Sequence, residues 1–193
     1  MKGIVFTELI EMVESDLGID IADRMIANAN VSNQGAYTAV GTYDHGELIR
    51  MVIALSEETG ISVPDLVRAF GRHMFAQFSK SYPQFFDGID SAIDFLPMVE
   101  TYIHVEVRKL YPDAELPTFD CTVDDGVLEM TYRSRRPFAD LADGLIRACI
   151  EHFGDSMNVT RVELGAQDGT EAKFTLNPIV VGPEERAPQP CPT

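Results

Sequence analysis

The sequence has few cysteines, few basic residues and no long apolar run. Its three cysteines, Cys121, Cys149 and Cys191, are far apart and form no CxxC pair, which argues against a zinc ribbon and against a disulfide framework. Free thiols are typical of a reducing cytoplasm. No apolar stretch approaches the length that spans a bilayer. The opening MKGIVFTELIEMV carries Glu8 and Glu11 and lacks a small-residue cleavage site, so we expect a cytoplasmic protein without a signal peptide.

Basic residues are scarce relative to acidic ones. The chain has 15 Lys and Arg against 31 Asp and Glu, a formal net charge of −16. This charge opposes binding to phosphate backbones and anionic lipid, so we expect neither nucleic acid nor a membrane as a partner. One local basic cluster stands out, Arg133, Arg135 and Arg136. The length of 193 residues is sufficient for one compact domain with a short tail.

Two kinds of periodicity follow one another along the chain. Apolar residues at helical spacing predict helices over 4–17, 19–27, 45–58, 62–79 and 89–110. Pro97 is expected to kink the last helical stretch or to reset its start. Alternation then predicts strands over 118–123, 127–133, 158–165 and 171–179, with a helix over 138–153. Asp124-Asp125-Gly126 and Gln167-Asp168-Gly169 are expected to form the turns.

This order predicts the α+β class. We expect an N-terminal helical bundle followed by a small antiparallel four-stranded sheet with one crossing helix. The proline-rich end GPEERAPQPCPT is expected to be a disordered tail, residues 182–193.

Tyr132, Ser134 and Arg136 form a candidate binding row. On a strand, residues two apart point to the same face, so these three would present two hydroxyls and a guanidinium together. Such a row suits carboxylate or phosphate groups, because arginine donates a planar fork and each hydroxyl adds a donor. A solvated edge strand with an incidental tyrosine explains the same spacing.

His104 is a candidate metal ligand. On a helical wheel it borders an apolar stripe, so its ring could face a cavity beside the core. A neutral imidazole in such a place binds a metal or haem iron. The alternative is a boundary histidine whose hydrogen bonds are satisfied within the protein. His45, His73 and His152 have no partner spacing for a metal site.

The combined pattern resembles a known family. His104, Pro117 thirteen residues later and the Tyr132-x-Ser134-x-Arg136 motif, in a helix-then-hairpin order, resemble the H-NOX family of haem-nitric oxide/oxygen binding domains. The resemblance includes the opening MKG and the helix around Phe70-Gly71, and it covers nearly the whole chain apart from the tail.

The resemblance implies haem b, held between the helical part and the sheet in a domain of residues 1–181. His104 would be the iron ligand, and Tyr132, Ser134 and Arg136 would bind the haem propionates. Pro117, and Val5 where the family often has isoleucine, would press on the porphyrin and keep it non-planar. Some relatives carry a cysteine cluster that binds zinc, but Cys149 and Cys191 stand apart here, so no zinc is expected.

The resemblance also indicates which diatomic gas the haem would bind. Relatives that hold oxygen use a distal tyrosine five residues after the motif arginine, a position that is Leu141 here. The supporting positions Leu9 and Met74 are apolar, and Leu145 completes the expected distal pocket. Bound oxygen gains much from a hydrogen-bond donor and nitric oxide gains little. We therefore expect a sensor of nitric oxide that also binds carbon monoxide and largely excludes oxygen.

Signalling would follow from weakening or breaking of the iron–His104 bond when nitric oxide binds, a two-state switch biased by a ligand. Gly71 and Gly144, inside predicted helices, are either hinges of this switch or points of close helix packing. The chain has no kinase, cyclase or phosphodiesterase signature. Its output would therefore pass to a separate protein, by resemblance a histidine kinase or a cyclic-di-GMP enzyme.

Two other functions compete with this interpretation. The arginine and hydroxyl row would also serve a haem-free module that binds an acidic small molecule. A haem enzyme of peroxidase type is disfavoured, because no polar acid-base pair can be placed opposite His104, and we expect no enzymatic activity.

Overall fold

Seven α-helices and four β-strands make up the part of the chain that the structure, a computed structural model, describes: residues 1–166 and 168–179. The helices are α1 (Ile4–Leu17), α2 (Ile19–Ala29), α3 (His45–Thr59), α4 (Val63–Ser81), α5 (Ala92–Phe95), α6 (His104–Leu110) and α7 (Ala139–Phe153). The strands are β1 (Thr118–Asp124), β2 (Val127–Arg133), β3 (Met157–Glu163) and β4 (Glu171–Pro178). The predicted tail, Cys191 and Gln167 lie outside the described residues.

Local chemistry explains where the N-terminal helices begin and end. The Ser62 hydroxyl accepts a hydrogen bond from the Asp65 N–H at 3.3 Å, which caps the start of α4 as the sequence predicts. The Asp44 carboxylate accepts from the Gly46 N–H at 3.1 Å and caps α3 in the same way. Gly60 ends α3 with a φ of 73°, a conformation that favours glycine. None of the described helices is both long and apolar enough to cross a membrane.

The segment before His104 differs from the single helical stretch predicted over 89–110. Pro97 lies just past the short helix α5 and has no N–H to continue it. Of the two expected outcomes, a kink or a new helix start, the structure shows a new start after Pro97. A π-helical turn (Val99–Ile103) follows and leads directly into α6. A 3₁₀ turn (Pro83–Phe85) precedes α5 and was not predicted.

The four strands form one antiparallel sheet in the order β1-β2-β4-β3. Asp125 and Gly126, with φ of 46° and 75°, make the β1–β2 turn, which is the conformation that an Asp-Gly hairpin requires. One face is buried because apolar side chains alternate along β2 and β4: Leu128, Met130, Tyr132, Ala172, Phe174 and Leu176. The structure confirms the predicted α+β fold with a four-stranded sheet.

Helix α7 packs against α4 at very close range. A Cβ atom added to Gly71 would lie 2.4 Å from the carbonyl oxygen of Leu141, and one added to Gly144 would lie 2.1 Å from that of Arg68. Only glycine permits this approach of two backbones. Of the two interpretations of Gly71 and Gly144, the structure shows close helix packing.

Two apolar clusters form the core. The first lies among α1 to α4 and includes Phe6, Leu9, Met51, Phe70 and Met74. The second lies between α7 and the sheet and includes Tyr132, Ile146, Cys149, Phe174 and Leu176. Leu145 contacts both clusters, so α7 joins the helical part to the sheet.

A buried carboxylate holds the connector between α2 and α3. Glu47 is 7% exposed, and its two oxygens accept hydrogen bonds from the Ser32 hydroxyl and the Tyr37 phenol, each at 2.7 Å. The hydrogen bonds from Ser32 and then Tyr37 hold the pKa of Glu47 below its usual value. The ionised carboxylate therefore stabilises the fold.

Replacing Glu47 by glutamine is expected to lower the free energy of unfolding at pH 7 by about 1–3 kcal/mol. Because the folded-state pKa of Glu47 is depressed, its stabilisation is present above the unfolded-state pKa of about 4.3 and is lost as the pH falls through the lower folded-state value. Urea unfolding at pH 7 and at lower pH should show the difference shrinking with acid. The exposed Glu57 of the same helix, changed to glutamine, is the control, and an equal loss in both variants would contradict the prediction.

Candidate functional site

His104 begins α6 immediately after the π-helical turn. Its backbone N–H donates to the Val99 carbonyl, five residues back, instead of continuing an α-helical ladder. Such π turns occur frequently at functional sites. The residue is 8% exposed, so the turn places an imidazole inside the protein.

Glu100 is the partner of His104. Its Oε2 lies 3.0 Å from the Nδ1 of His104, which assigns the ring proton to Nδ1 because a carboxylate only accepts. The same oxygen accepts from the Phe119 N–H at 3.3 Å, and Oε1 accepts from the Arg108 guanidinium at 3.4 Å. Within the described residues, the Nε2 of His104 makes no hydrogen bond.

The ionisation of this pair suits a metal ligand. Burial lowers the pKa of His104 and outweighs the hydrogen bond to Glu100, so the imidazole is neutral at pH 7. Burial also acts to raise the pKa of Glu100, but the hydrogen bonds from His104, Phe119 and Arg108 prevail and lower it. A neutral imidazole with its proton on Nδ1 leaves the Nε2 lone pair for a metal.

Tyr132, Ser134 and Arg136 come together, although not by strand alternation. The strand β2 ends at Arg133, so the prediction that all three share one strand face is wrong. The chain turns instead, because the Ser134 hydroxyl accepts from the Arg136 N–H at 3.0 Å. The Tyr132 hydroxyl donates to the Arg136 carbonyl at 3.4 Å. Tyr132 itself is 2% exposed, and burial raises its pKa.

Arg136 is the most enclosed arginine of the basic cluster. Its side chain is 13% exposed, and it donates to the Glu115 carbonyl at 2.8 Å and to the Glu115 carboxylate at 2.5 Å. Arg135 is almost fully exposed, and Arg133 pairs with Glu171 at 2.8 Å. A cleft lies at this cluster, lined by Arg108, Ala114, Glu115, Leu116, Thr118, Arg133, Ser134, Arg135 and Arg136. Arg136 is thus already arranged to bind a carboxylate.

An aromatic residue connects this cluster to the histidine. The ring of Phe119, two residues after Pro117, lies 5.8 Å from the ring of His104 and 5.7 Å from that of Tyr132, between centroids. Pro117 is half-buried and directly precedes β1. The histidine, the proline and the hydroxyl-arginine cluster therefore lie on the sheet side of the molecule.

The residues predicted for the distal pocket lie together on the helical side, and Val5, which was predicted to press on the porphyrin, lies with them. Leu9 and Met74 belong to the first apolar cluster, and Val5, Leu141 and Leu145 pack against it. All five side chains are apolar, and Leu145 also contacts the second cluster, to which Tyr132 belongs. The structure therefore brings these apolar residues of α1, α4 and α7 into one cluster, which Leu145 joins to the cluster of Tyr132.

These residues fit a haem group by the chemistry of their donors. His104 offers a neutral ring nitrogen for iron, the arginine and hydroxyls offer donors for carboxylates, and Phe119 and the leucines offer apolar contact. Sequence reasoning missed Glu100 and Phe119. A signal for Glu100 was present, since an acid four residues before a histidine lies on the same face of a helix.

Comparison with known proteins gives the same class. A sequence model of the Haem-NO-binding family matches residues 2–161. The Fe(II) unliganded H-NOX protein from K. algicida is 37% identical with a TM-score of 0.86, over 93% of this chain and 97% of that chain. The IWP-051-bound H-NOX from Shewanella woodyi in the Fe(II)CO state is 36% identical with a TM-score of 0.79, over 98% and 100%. The H-NOX protein from S. oneidensis in the Fe(II)NO state, 22% identical over 93% and 99%, shares the fold with a TM-score of 0.84.

The fold and the matched family therefore define a haem-binding protein of the gas-sensing class. The chain belongs to the H-NOX family, whose members are haem-based sensors rather than enzymes.

Proposed function

We propose that this chain is a cytoplasmic sensor of nitric oxide with His104 as the axial ligand of haem b. The observation that carries the proposal is the buried, neutral His104, whose Nδ1 is bound by Glu100 while Nε2 makes no hydrogen bond within the described part of the chain. The haem, when bound, supplies an iron that coordinates a diatomic gas.

The protein's own residues would orient the cofactor. Arg136 would exchange its Glu115 partner for a propionate, with the hydroxyls of Tyr132 and Ser134 as further donors. Val5 from α1 and Pro117 before β1 would contact the porphyrin from the helical and the sheet side. Leu9, Met74, Leu141 and Leu145 would line the distal pocket.

The gas preference rests on these apolar side chains. Bound oxygen accumulates negative charge and needs a hydrogen-bond donor to be held, whereas nitric oxide and carbon monoxide need one much less. A leucine at position 141 supplies no donor. The related protein from Shewanella woodyi was solved in the Fe(II)CO state, which supports carbon monoxide as a second ligand.

The signal would be carried by the helix that bears His104. Nitric oxide binding would weaken or break the bond between His104 and iron, which would free α6 from the haem while Glu100 would still hold His104 close to β1. Two arrangements of α6 biased by a ligand form a switch. The output would pass to a separately encoded histidine kinase or cyclic-di-GMP enzyme.

Absorption spectra of the purified, reduced protein test this function. We expect a strong Soret band that shifts with nitric oxide and with carbon monoxide but not in air, because the apolar pocket offers oxygen no donor. The variant Leu141→Tyr should acquire a reversible shift in air, with Leu55→Met, a core change on α3, as the control.

A wild-type band that shifts reversibly in air would disprove the gas preference. Absence of a Soret band even after haem is supplied would disprove the haem function and favour the haem-free module for an acidic small molecule.

A further inference from the structure

Glu100 accepts hydrogen bonds from three donors that belong to two elements of the fold, α6 and β1. Its Oε2 accepts from the Nδ1 of His104 at 3.0 Å, in the same helical segment, and from the Phe119 N–H at 3.3 Å, in strand β1. Its Oε1 accepts from the Arg108 guanidinium at 3.4 Å, one turn further along α6. The carboxylate therefore lies at the junction between the helix of His104 and the sheet.

The hydrogen bond to Nδ1 affects what Nε2 does. A carboxylate that accepts the Nδ1 proton draws it away from the ring, which makes the imidazole more electron-rich and its other nitrogen a stronger ligand. It also fixes the tautomer, because only the form with the proton on Nδ1 makes this bond. The pair is largely shielded from water, with side chains 10% and 26% exposed, so the interaction is screened only weakly.

Arg108 and Phe119 set how strongly the carboxylate acts. The guanidinium approaches Oε1 and balances part of the negative charge, while the backbone N–H of Phe119 fixes Oε2 beside the ring. Glu100 is thereby held in one position relative to β1. His104 is in turn oriented by a carboxylate that is hydrogen-bonded to both α6 and β1.

We propose that Glu100 is a positioning residue that sets the strength of the bond between His104 and iron, and with it how readily nitric oxide releases the histidine. This inference rests on the proposed function. Loss of the carboxylate weakens the iron–histidine bond, so a larger fraction of the nitric oxide complex is five-coordinate.

The variants Glu100→Ala and Glu100→Gln test the proposal, with Glu106→Ala as the matched control. Glu106 is a carboxylate of the same helix that pairs with Lys109 at 2.6 Å. Resonance Raman spectra of the reduced, gas-free proteins report the iron–histidine stretching frequency directly. We expect it to fall in Glu100→Ala, to fall less in Glu100→Gln, whose amide oxygen still accepts a hydrogen bond, and to stay unchanged in Glu106→Ala.

Haem transfer to apomyoglobin supplies a second readout. The rate of haem loss should rise about 10-fold in Glu100→Ala, the usual consequence of removing a partner of a metal-binding histidine. The five-coordinate fraction of the nitric oxide complex should rise in the same order, alanine above glutamine above wild type.

An iron–histidine frequency that is the same in wild type and Glu100→Ala would overturn the proposal while leaving the haem function intact. Equal shifts in Glu100→Ala and Glu106→Ala would also overturn it, because they would indicate a general disturbance of α6. An iron–histidine band absent from every variant and from wild type would instead refute the proposed function itself.

Discussion

Replacing His104 by alanine is expected to weaken haem binding by a factor on the order of 100 or more, because the variant loses the ring nitrogen that would bind the iron. His104 is buried and neutral, so its Nε2 lone pair needs neither deprotonation nor exposure to bind iron. The Soret absorbance per protein after reconstitution, together with the rate of haem transfer to apomyoglobin, measures the loss.

Two companion variants separate ligation from folding. His45→Ala removes a partly exposed histidine at the start of α3 and should leave haem binding unchanged. His104→Gly leaves room for free imidazole, which should restore the Soret band when added. A His104→Ala protein that retains the wild-type band and transfer rate would disprove ligation by this residue.

The second large effect concerns the contact between α4 and α7. Replacing Gly144 by alanine is expected to lower the free energy of unfolding by about 2–3 kcal/mol, because the new methyl group would lie 2.1 Å from the Arg68 carbonyl oxygen. Backbone atoms cannot swing aside, so the two helices must separate. For a domain of this size the melting temperature should fall by about 4–12 °C.

Gly46→Ala is the control for Gly144→Ala. A Cβ atom at Gly46 would meet the ends of two flexible side chains, Asp44 at 3.0 Å and Arg50 at 3.6 Å. Thermal unfolding should show a change of less than about 1 kcal/mol there, since alanine is also the better helix former. Similar melting temperatures for wild type and Gly144→Ala would mean that the helices repack without cost.

Much of the fold could be predicted from the sequence where one periodicity runs uninterrupted. The helix predicted over 4–17 coincides with α1, and the strand predicted over 127–133 coincides with β2. The Asp125-Gly126 turn adopts the positive φ angles that its composition requires. In these elements the local conformational preference of the residues and the pattern of buried side chains favour the same secondary structure, so the sequence alone predicts it.

The segment between α4 and α6 was predicted poorly, for a physical reason. Short apolar pieces around Pro97 fit several helical types equally well, and tertiary contacts decide among them. Phe86 stacks on Phe95 with centroids 4.5 Å apart, and Phe85 meets Tyr102 edge-on at 5.6 Å. These contacts are set by packing against α7 and the sheet, which no local pattern records.

The candidate site, like the fold, could be predicted only in part from the sequence. Residue types at fixed spacing drew attention to His104 and to the Tyr132, Ser134 and Arg136 motif, whose haem-binding roles stay predictions. The expected strand geometry of the motif was wrong, because Ser134 binds the backbone of Arg136 and ends the alternation. Glu115, which pairs with Arg136 from 21 residues away, could not be foreseen from local sequence.

The π-helical turn before His104 affects the direction in which the imidazole ring points. Each residue of an α-helix advances the chain by about 100° around the axis, and a π turn takes one residue more than an α turn to close its hydrogen bond. Glu100 and His104 are four residues apart within and just after this turn. Deleting a single residue between them would shorten that spacing to three, so the imidazole would no longer meet the Glu100 carboxylate as it does here. The direction of the imidazole ring thus depends on the number of residues in the π-helical turn. This turn should tolerate side-chain substitutions far better than changes of length.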